Sequence, residues 1–304
     1  MKSYNELLIR VKECPIKKVS VSVAQDANVI EAVRVAKDKN IADAILVGDK
    51  KQIEQIAKDT HTDISDFEII NVEDVTEASL EAVKLVHDGV ANMYMKGIID
   101  TKGFLKSVLN KEVGLRTGRP LSHVCVFDCD ALDRLLFLTD VAFIPYPTVE
   151  EKVAMIDNTL EITSALGITD PKVALMAAVE VVNPKMPATV EAGEITQMYK
   201  DGKIKGCIVD GPLSLDLAID PEAAVHKGCT DRPIQGDADI LLFPDIQAGN
   251  LVYKTFVHLV PSVCGNILTG TKAPVILTSR SDSVEVKVNS LALGAAVADS
   301  MGKA

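Results

Sequence analysis

The 304-residue sequence predicts an α/β fold, a mostly parallel sheet covered by helices on both faces. Three observations predict it. Short β-branched runs alternate with longer segments whose apolar residues recur three and four apart, from near the start of the chain to its end. Several short runs, such as Ile240-Leu241-Leu242-Phe243, are apolar at every position, as strands buried on both faces are. A balance of 47% apolar and 25% charged residues is that of a globular chain and excludes disorder and collagen-like structure.

Taken in order, Lys18 to Val23 reads as the first strand and Asn28 to Lys39 as the first periodic helix. Strands Ala44 to Val47, Phe67 to Val72 and Asn92 to Met95 follow, separated by helices Asp49 to Lys58 and Thr76 to His87, with Thr101 to Leu109 closing the series. The middle differs. Ser122 to Phe127 and Arg134 to Val141 are neighbouring strand-like runs joined by the polar corner Asp128-Cys129-Asp130, the arrangement of a hairpin. Alternation then resumes with helix Thr148 to Leu166, strand Lys172 to Met176, helix Thr189 to Lys200 and strand Cys207 to Val209. It ends with strand Asp239 to Phe243, helix Asn250 to Leu259, strand Pro274 to Thr278 and helix Asp282 to Met301. A domain boundary falls near Leu121, and the last strand and helix are free to return to the first domain.

Charge and apolar runs exclude several function classes. A net charge of −11 repels nucleic acid and anionic lipid. No apolar run reaches the roughly 18 residues of a membrane span, since Glu180 breaks the best candidate, Val173 to Val182. Met1 to Lys12 is amphipathic, carries Glu6 and has no small-residue cleavage site, so it does not read as a signal peptide. A cytoplasmic protein is expected. Cys14, Cys125, Cys129, Cys207, Cys229 and Cys264 form no Cys-x-x-Cys pair and read as reduced thiols, with Cys125 and Cys129 as small hydrophobes on or beside a strand.

In open α/β sheets ligands gather outside the carboxyl ends of strands. Polar clusters occupy those positions at Lys96-Gly97, Asn183-Pro184-Lys185, Asp210-Gly211-Pro212, Pro244-Asp245 and Ser279-Arg280-Ser281-Asp282-Ser283. Each alone is also an ordinary turn; five together point to a ligand cleft. From Lys96 to Arg119 six basic residues face two acids, a +4 segment in a chain that is −15 elsewhere. Its lysines are spread over a strand end, a helix and a loop, which suits an anionic ligand. The turn at Ser279 to Ser283 leads into a helix, whose unpartnered first amides and dipole favour phosphate, and Arg280 adds a matching fork. Asp282 and Glu285 alternatively form a capping pair.

Familiar signatures are missing. There is no Gly-x-Gly for a dinucleotide, and Gly265 to Lys272 mimics a nucleotide-triphosphate loop with Thr and Lys in the wrong order. His-Glu-x-x-His is absent, and Asp128, Asp130 and Asp133 lack calcium-loop spacing. Of the scattered histidines only His123 lies near the basic segment.

At Asp210-Gly211-Pro212-Leu213, Pro244-Asp245-x-x-x-Gly249-Asn250 with Tyr253-Lys254, and Thr278-Ser279-Arg280, the chain resembles the phosphate acetyl/butyryltransferases over nearly its whole length. Met95-Lys96-Gly97, Glu112 to Gly118, Ser122-His123-Val124 and Val182 to Pro187 are more similar to the butyryl branch. The resemblance implies two α/β/α domains like those of isocitrate and isopropylmalate dehydrogenases, with the active site in the interdomain cleft. On this chain they correspond to 1–121 plus 269–304 and an inserted 122–268. The implied reaction is acyl-CoA + phosphate = acyl phosphate + CoA, in a homo-oligomer with no metal and no cofactor, coenzyme A and phosphate being substrates.

Carried over residue by residue, the family's Ser-Arg pair falls on Ser279 and Arg280. A phosphate-binding arginine of the acetyl branch corresponds to Lys106, with Thr101 at the preceding hydroxyl position; lysine keeps the charge but loses the fork. The aspartate proposed there as base corresponds to Val286, which cannot serve. A free thiol has a pKa of about 8.5, so attack on an acyl phosphate gains from a base or a thiolate-stabilising cation. The expectation is that Ser279, Arg280 and Asp282 are catalytic, with Asp282 as base and Glu285 as second choice. Lys96, Thr101, Lys106, Arg116, Asn183, Asp210 and Asn250 are expected to bind phosphate or substrate. Competing readings are a phosphate acetyltransferase, a metal-dependent decarboxylating dehydrogenase on the related fold, and a non-catalytic acyl-CoA sensor.

Overall fold

The computed structural model describes residues 1–280 and 282–302. In chain order the elements are α1 (Tyr4–Lys12), β1 (Lys17–Ser22), α2 (Ala27–Asp38), β2 (Ala42–Gly48), α3 (Lys50–Asp59), β3 (Glu68–Asn71), α4 (Val75–His87), β4 (Met93–Lys96) and α5 (Thr101–Val108). There follow β5 (Ser122–Cys129), β6 (Leu135–Thr139), α6 (Val149–Ala165), β7 (Lys172–Met176), α7 (Pro187–Lys200), β8 (Ile208–Leu213), α8 (Leu215–Ile219) and α9 (Pro221–His226). The chain closes with β9 (Ile240–Leu242), α10 (Ile246–Leu259), β10 (Ser262–Thr269), β11 (Val275–Ile276) and α11 (Val284–Met301). They fall into two units. The first holds Tyr4–Arg119 and Cys264–Ala304, the second Met1–Ser3 and Pro120–Val263.

In the first unit the strand order is β3-β2-β1-β4-β11-β10. The pairs β1/β2, β1/β4, β2/β3 and β11/β4 are parallel, and β10 runs antiparallel to β11. Four of the strand-to-helix steps are fixed by an aspartate. Asp26, Asp49, Asp74 and Asp100 accept the amides of Val29, Gln52, Thr76 with Glu77, and Gly103 at the starts of α2, α3, α4 and α5. Each such cap contributes about 1 kcal/mol and anchors a helix start beside a strand end. Helix α11 is buried along most of its length. Gly294 lets it approach the sheet, because a Cβ there would lie 2.7 Å from Ile276 Cδ1 and 2.9 Å from Met93 Sδ.

In the second unit the order is β5-β6-β9-β7-β8. The hairpin expected from Ser122 to Val141 is β5 and β6, antiparallel with Val126 opposite Phe137. The pairs β6/β9, β7/β9 and β7/β8 are parallel. Helix α6 opens with a capping box in which Thr148 and Glu151 bond each other's amides. On α10, Tyr253 and Phe256 pack their rings against Phe127.

Three departures from the sequence reading have physical causes. Strand β10 contains Gly265 and Asn266, which interrupt a strand pattern. Gly265 is there because a Cβ would lie 2.6 Å from Tyr4 Oη and 3.0 Å from the Asn289 carbonyl carbon. The stretch resembling a nucleotide-triphosphate loop is therefore largely strand. The short helices α8 and α9 lie in a segment with too few residues to show a period. Helix α11 begins at Val284 rather than Asp282, because its N-cap is Ser283, whose hydroxyl accepts the Val286 amide. Among the described residues no helix is long and apolar enough to cross a membrane.

Candidate functional site

Lys96 ends β4, and the residues around it explain its setting. Two positions earlier, the Tyr94 ring stacks on Phe104 with centroids 4.6 Å apart, and its hydroxyl lies 3.1 Å from Ser79 Oγ and 2.8 Å from Ser107 Oγ. These contacts tie β4 to α4 and α5. One position later, the Gly97 amide donates to the Ser22 carbonyl at 2.9 Å, and a Cβ on Gly97 would sit 2.2 Å from the Val23 oxygen. Only glycine fits so close an approach. The result is a lysine 5% exposed whose Nζ donates to the Gly97 carbonyl at a long 3.4 Å. Burial pushes its pKa down, Arg280 and Lys287 push it the same way by like charge, and Asp26 and Asp100 oppose them.

The connection from β11 to α11 carries Ser279, Arg280 and Asp282. The Ser279 amide donates to Asp282 Oδ2 at 2.7 Å, and the Asp282 amide returns to the Ser279 carbonyl at 3.2 Å. Asp282 thus closes the turn instead of capping the helix. Ser281, expected in this cluster, lies outside the described residues. From below, Lys287 donates to the carbonyls of Asp282 at 2.6 Å and Ser279 at 3.3 Å. Lys287 is 2% exposed, and its burial lowers its pKa although Asp282 and Asp26 oppose the shift. Ser279 and Arg280 are left exposed on top of this clamp.

Arg280 and Lys287 thus both act on Lys96 by like charge, and among the described residues neither lysine forms an ion pair. Asp26 and Asp100 already hold helix amides, at 3.0 and 2.9 Å. The two lysines are desolvated without a contact ion pair, a cost that a multiply charged anion would relieve. Phosphate suits Arg280 because a guanidinium fork matches its oxygens.

The other expected residues are placed differently. Thr101 is the exposed first residue of α5. Lys106 is five positions on, about 140° around the helix. It lines an open groove of about 410 Å³ with Thr76, Ser79, Asp100, Lys102 and Asn110. Arg116 is exposed and its backbone bridges to Thr271, next to the Thr117 hydroxyl bonded to the Gly270 carbonyl at 2.6 Å.

In the second unit Asp210 receives two bonds from Arg232, Nε to Oδ2 at 3.0 Å and Nη2 to Oδ1 at 2.8 Å. Asn183 closes its own turn, its Oδ1 accepting the Lys185 amide. Asn250 Nδ2 donates to the Val141 carbonyl at 2.9 Å, beside Gly249, where a Cβ would lie 2.2 Å from the Asp140 oxygen. With Asp245 capping α10 through the Ala248 amide, Pro244 to Asn250 seats that helix. The His123 amide donates to Asp140 Oδ2. Among the described residues no group of three or more His, Cys, Asp or Glu is placed to hold a metal ion.

Lys287 and Arg232 escaped the sequence reading. For Lys287 a signal exists, a lysine between Val286 and Val288 near the start of a helix. For Arg232 there is none, because its partner lies 22 positions away.

Comparison with known proteins gives a consistent result. The phosphate acetyl/butaryl transferase family matches the chain over residues 4–81 and 72–295. The phosphate butyryltransferase of Clostridium acetobutylicum is 55% identical over 298 residues, covering 98% of this chain and 99% of that protein. The phosphate butyryltransferase of Clostridium beijerinckii is 56% identical over 297 residues, 98% of each. Among solved structures, a branched-chain phosphotransacylase from Enterococcus faecalis V583 is similar with a TM-score of 0.83 at 34% identity, covering 93% of this chain and 99% of that one.

Proposed function

The chain belongs to the phosphate acetyl/butaryl transferase family, and from that premise we propose that it transfers a short-chain acyl group, butyryl foremost, between coenzyme A and inorganic phosphate. The enzyme is a phosphate acyltransferase, and its substrates and products are acyl-CoA, phosphate, acyl phosphate and CoA. The observation that supports the reading in the geometry is the buried Lys96 at the end of β4, together with the turn that carries Arg280 and is held by Lys287.

In this reading Arg280 and Lys96 hold phosphate, and Ser279 orients the reacting carbonyl or thiol through its hydroxyl. An oxygen of hydrogen phosphate attacks the thioester carbonyl, the C–S bond breaks, and the sulfur leaves with the proton that the phosphate gives up, relayed by Asp282. In reverse, the thiol loses that proton as it attacks the acyl phosphate. Asp282, held in the turn by the Ser279 amide, is the proton acceptor. Transfer is direct. An acyl-cysteine route through Cys207 is disfavoured because burial pushes that thiol up to about 11, leaving it protonated at neutral pH. A cytoplasmic homo-oligomer without resident metal or cofactor completes the proposal.

The test is the rate of CoA release from acetyl-, propionyl-, butyryl- and branched acyl-CoA with phosphate. Butyryl-CoA is expected to be fastest; faster acetyl-CoA favours the acetyl branch, and no release from any of them favours a sensor. Asp282→Asn retains the acceptor for the Ser279 amide, so turnover is expected to fall about 100-fold with little change in melting temperature. Normal turnover with a lowered melting temperature reduces Asp282 to a turn residue.

A further inference from the structure

Lys287 sits where a lysine is costly. Its ammonium is buried, it lies in the first turn of α11 where the helix dipole opposes positive charge, and it raises the potential at the already desolvated Lys96. A methionine of similar length would fill the volume without those costs. Besides the attraction of Asp282 and Asp26, what the ammonium gains is narrow. The donor contacts made by Lys287 Nζ go to two carbonyls, Ser279 and Asp282, which bracket Arg280. The amide-to-carboxylate bond between Ser279 and Asp282 closes the same turn from the other side.

We propose that Lys287 is a positioning residue of the reaction: by clamping the carbonyls of Ser279 and Asp282 it fixes the turn that presents Arg280 beside Lys96, and so sets the affinity for phosphate. It acts through Arg280 and does not itself touch phosphate. The inference rests on the phosphate acyltransferase reading and extends it to a residue outside the Ser-Arg motif.

The test is a double-mutant cycle with Lys287→Met and Arg280→Ala, read both as kcat/KM for phosphate at saturating butyryl-CoA and as equilibrium binding of inorganic phosphate. Lys287→Met is expected to lower kcat/KM about 30-fold and weaken phosphate binding similarly, while KM for butyryl-CoA stays within about twofold. On the Arg280→Ala background the same change is expected to cost less than about threefold, because the arginine it positions is gone. Lys287→Gln, which keeps a donor, is expected to recover part of the loss and serves if the methionine variant does not fold. Additive losses, or equal rises in both KM values, would overturn the inference and leave Lys287 structural. Phosphate binding that follows the cycle without any CoA release would instead refute the acyltransferase reading and leave the positioning role standing.

Discussion

Two polar clusters, one around Lys96 in the first unit and one around Asp210 in the other, share a sequence pattern of charged residues at the ends of buried strands. They differ in how their charges are met. Asp210 is matched by Arg232, which also reaches the carbonyls of Glu180 at 3.0 Å and Pro212 at 3.2 Å. Nearby, Lys227 lies 2.9 Å from both Glu180 Oε1 and Asp216 Oδ2, and Ser214 bonds the same two carboxylates. Both cations there, Arg232 and Lys227, have anions. In the first unit Lys96 and Lys287 bond carbonyls, and the carboxylates of Asp26, Asp100 and Asp282 act on them without forming an ion pair. Paired charges hold a fold together; buried cations without a contact ion pair carry a desolvation cost that an anionic ligand can relieve.

That contrast is broken most directly by Arg280→Ala, which should lower kcat/KM for phosphate about 1000-fold, in the range of losing a preorganised anion donor, while leaving the melting temperature within a few degrees. Rates that keep their phosphate dependence would remove Arg280 from the anion site. Next in size, Arg232→Met leaves Asp210 buried without its partner, so urea unfolding should show a loss of about 3 kcal/mol. A stable Arg232→Met enzyme with impaired phosphate use would mean that the Asp210 cluster serves chemistry after all.

The smallest effect concerns pH. The Ser214 hydroxyl and Lys227 hold the Asp216 carboxyl at about 2, below its ordinary value. Its folded pKa is depressed, so the stabilisation is present above the usual carboxylate range and disappears as pH falls through about 2. Because the side chain is half exposed, Asp216→Asn should cost under about 1 kcal/mol at pH 6. The wild type and the variant should converge near pH 2, and a difference that grows on acidification would reverse the assigned sign.

Much of the fold is written locally. Periodicity located the βα alternation and the hairpin from Ser122 to Val141, because buried strands and amphipathic helices impose their period on the sequence. Strand β10 was hidden because Gly265 answers to Tyr4 and α11, contacts far from it along the chain. The site divides along the same line. The placement of Lys96 at a strand end, and of Ser279 and Arg280 in a strand-to-helix turn, was legible from the local pattern. The partners of Asp210 and Asn250 were not, since each bond joins residues far apart along the chain, whereas Asn183 bonds its own turn. Lys106 illustrates a third case: its charge was visible, but the groove it lines with Thr76 and Ser79 is formed only by the packed helices.

The proposed anion site requires that Lys96 carry an electrostatic cost that phosphate relieves. The direct measurement is inorganic phosphate binding to the wild type and to Lys96→Met, with the melting temperature of each taken without phosphate. Affinity should fall about tenfold, or 1.4 kcal/mol, while the ligand-free variant melts at the same temperature or higher because a buried cation has gone. Unchanged phosphate affinity, or a variant that is destabilised as a broken ion pair would be, contradicts it.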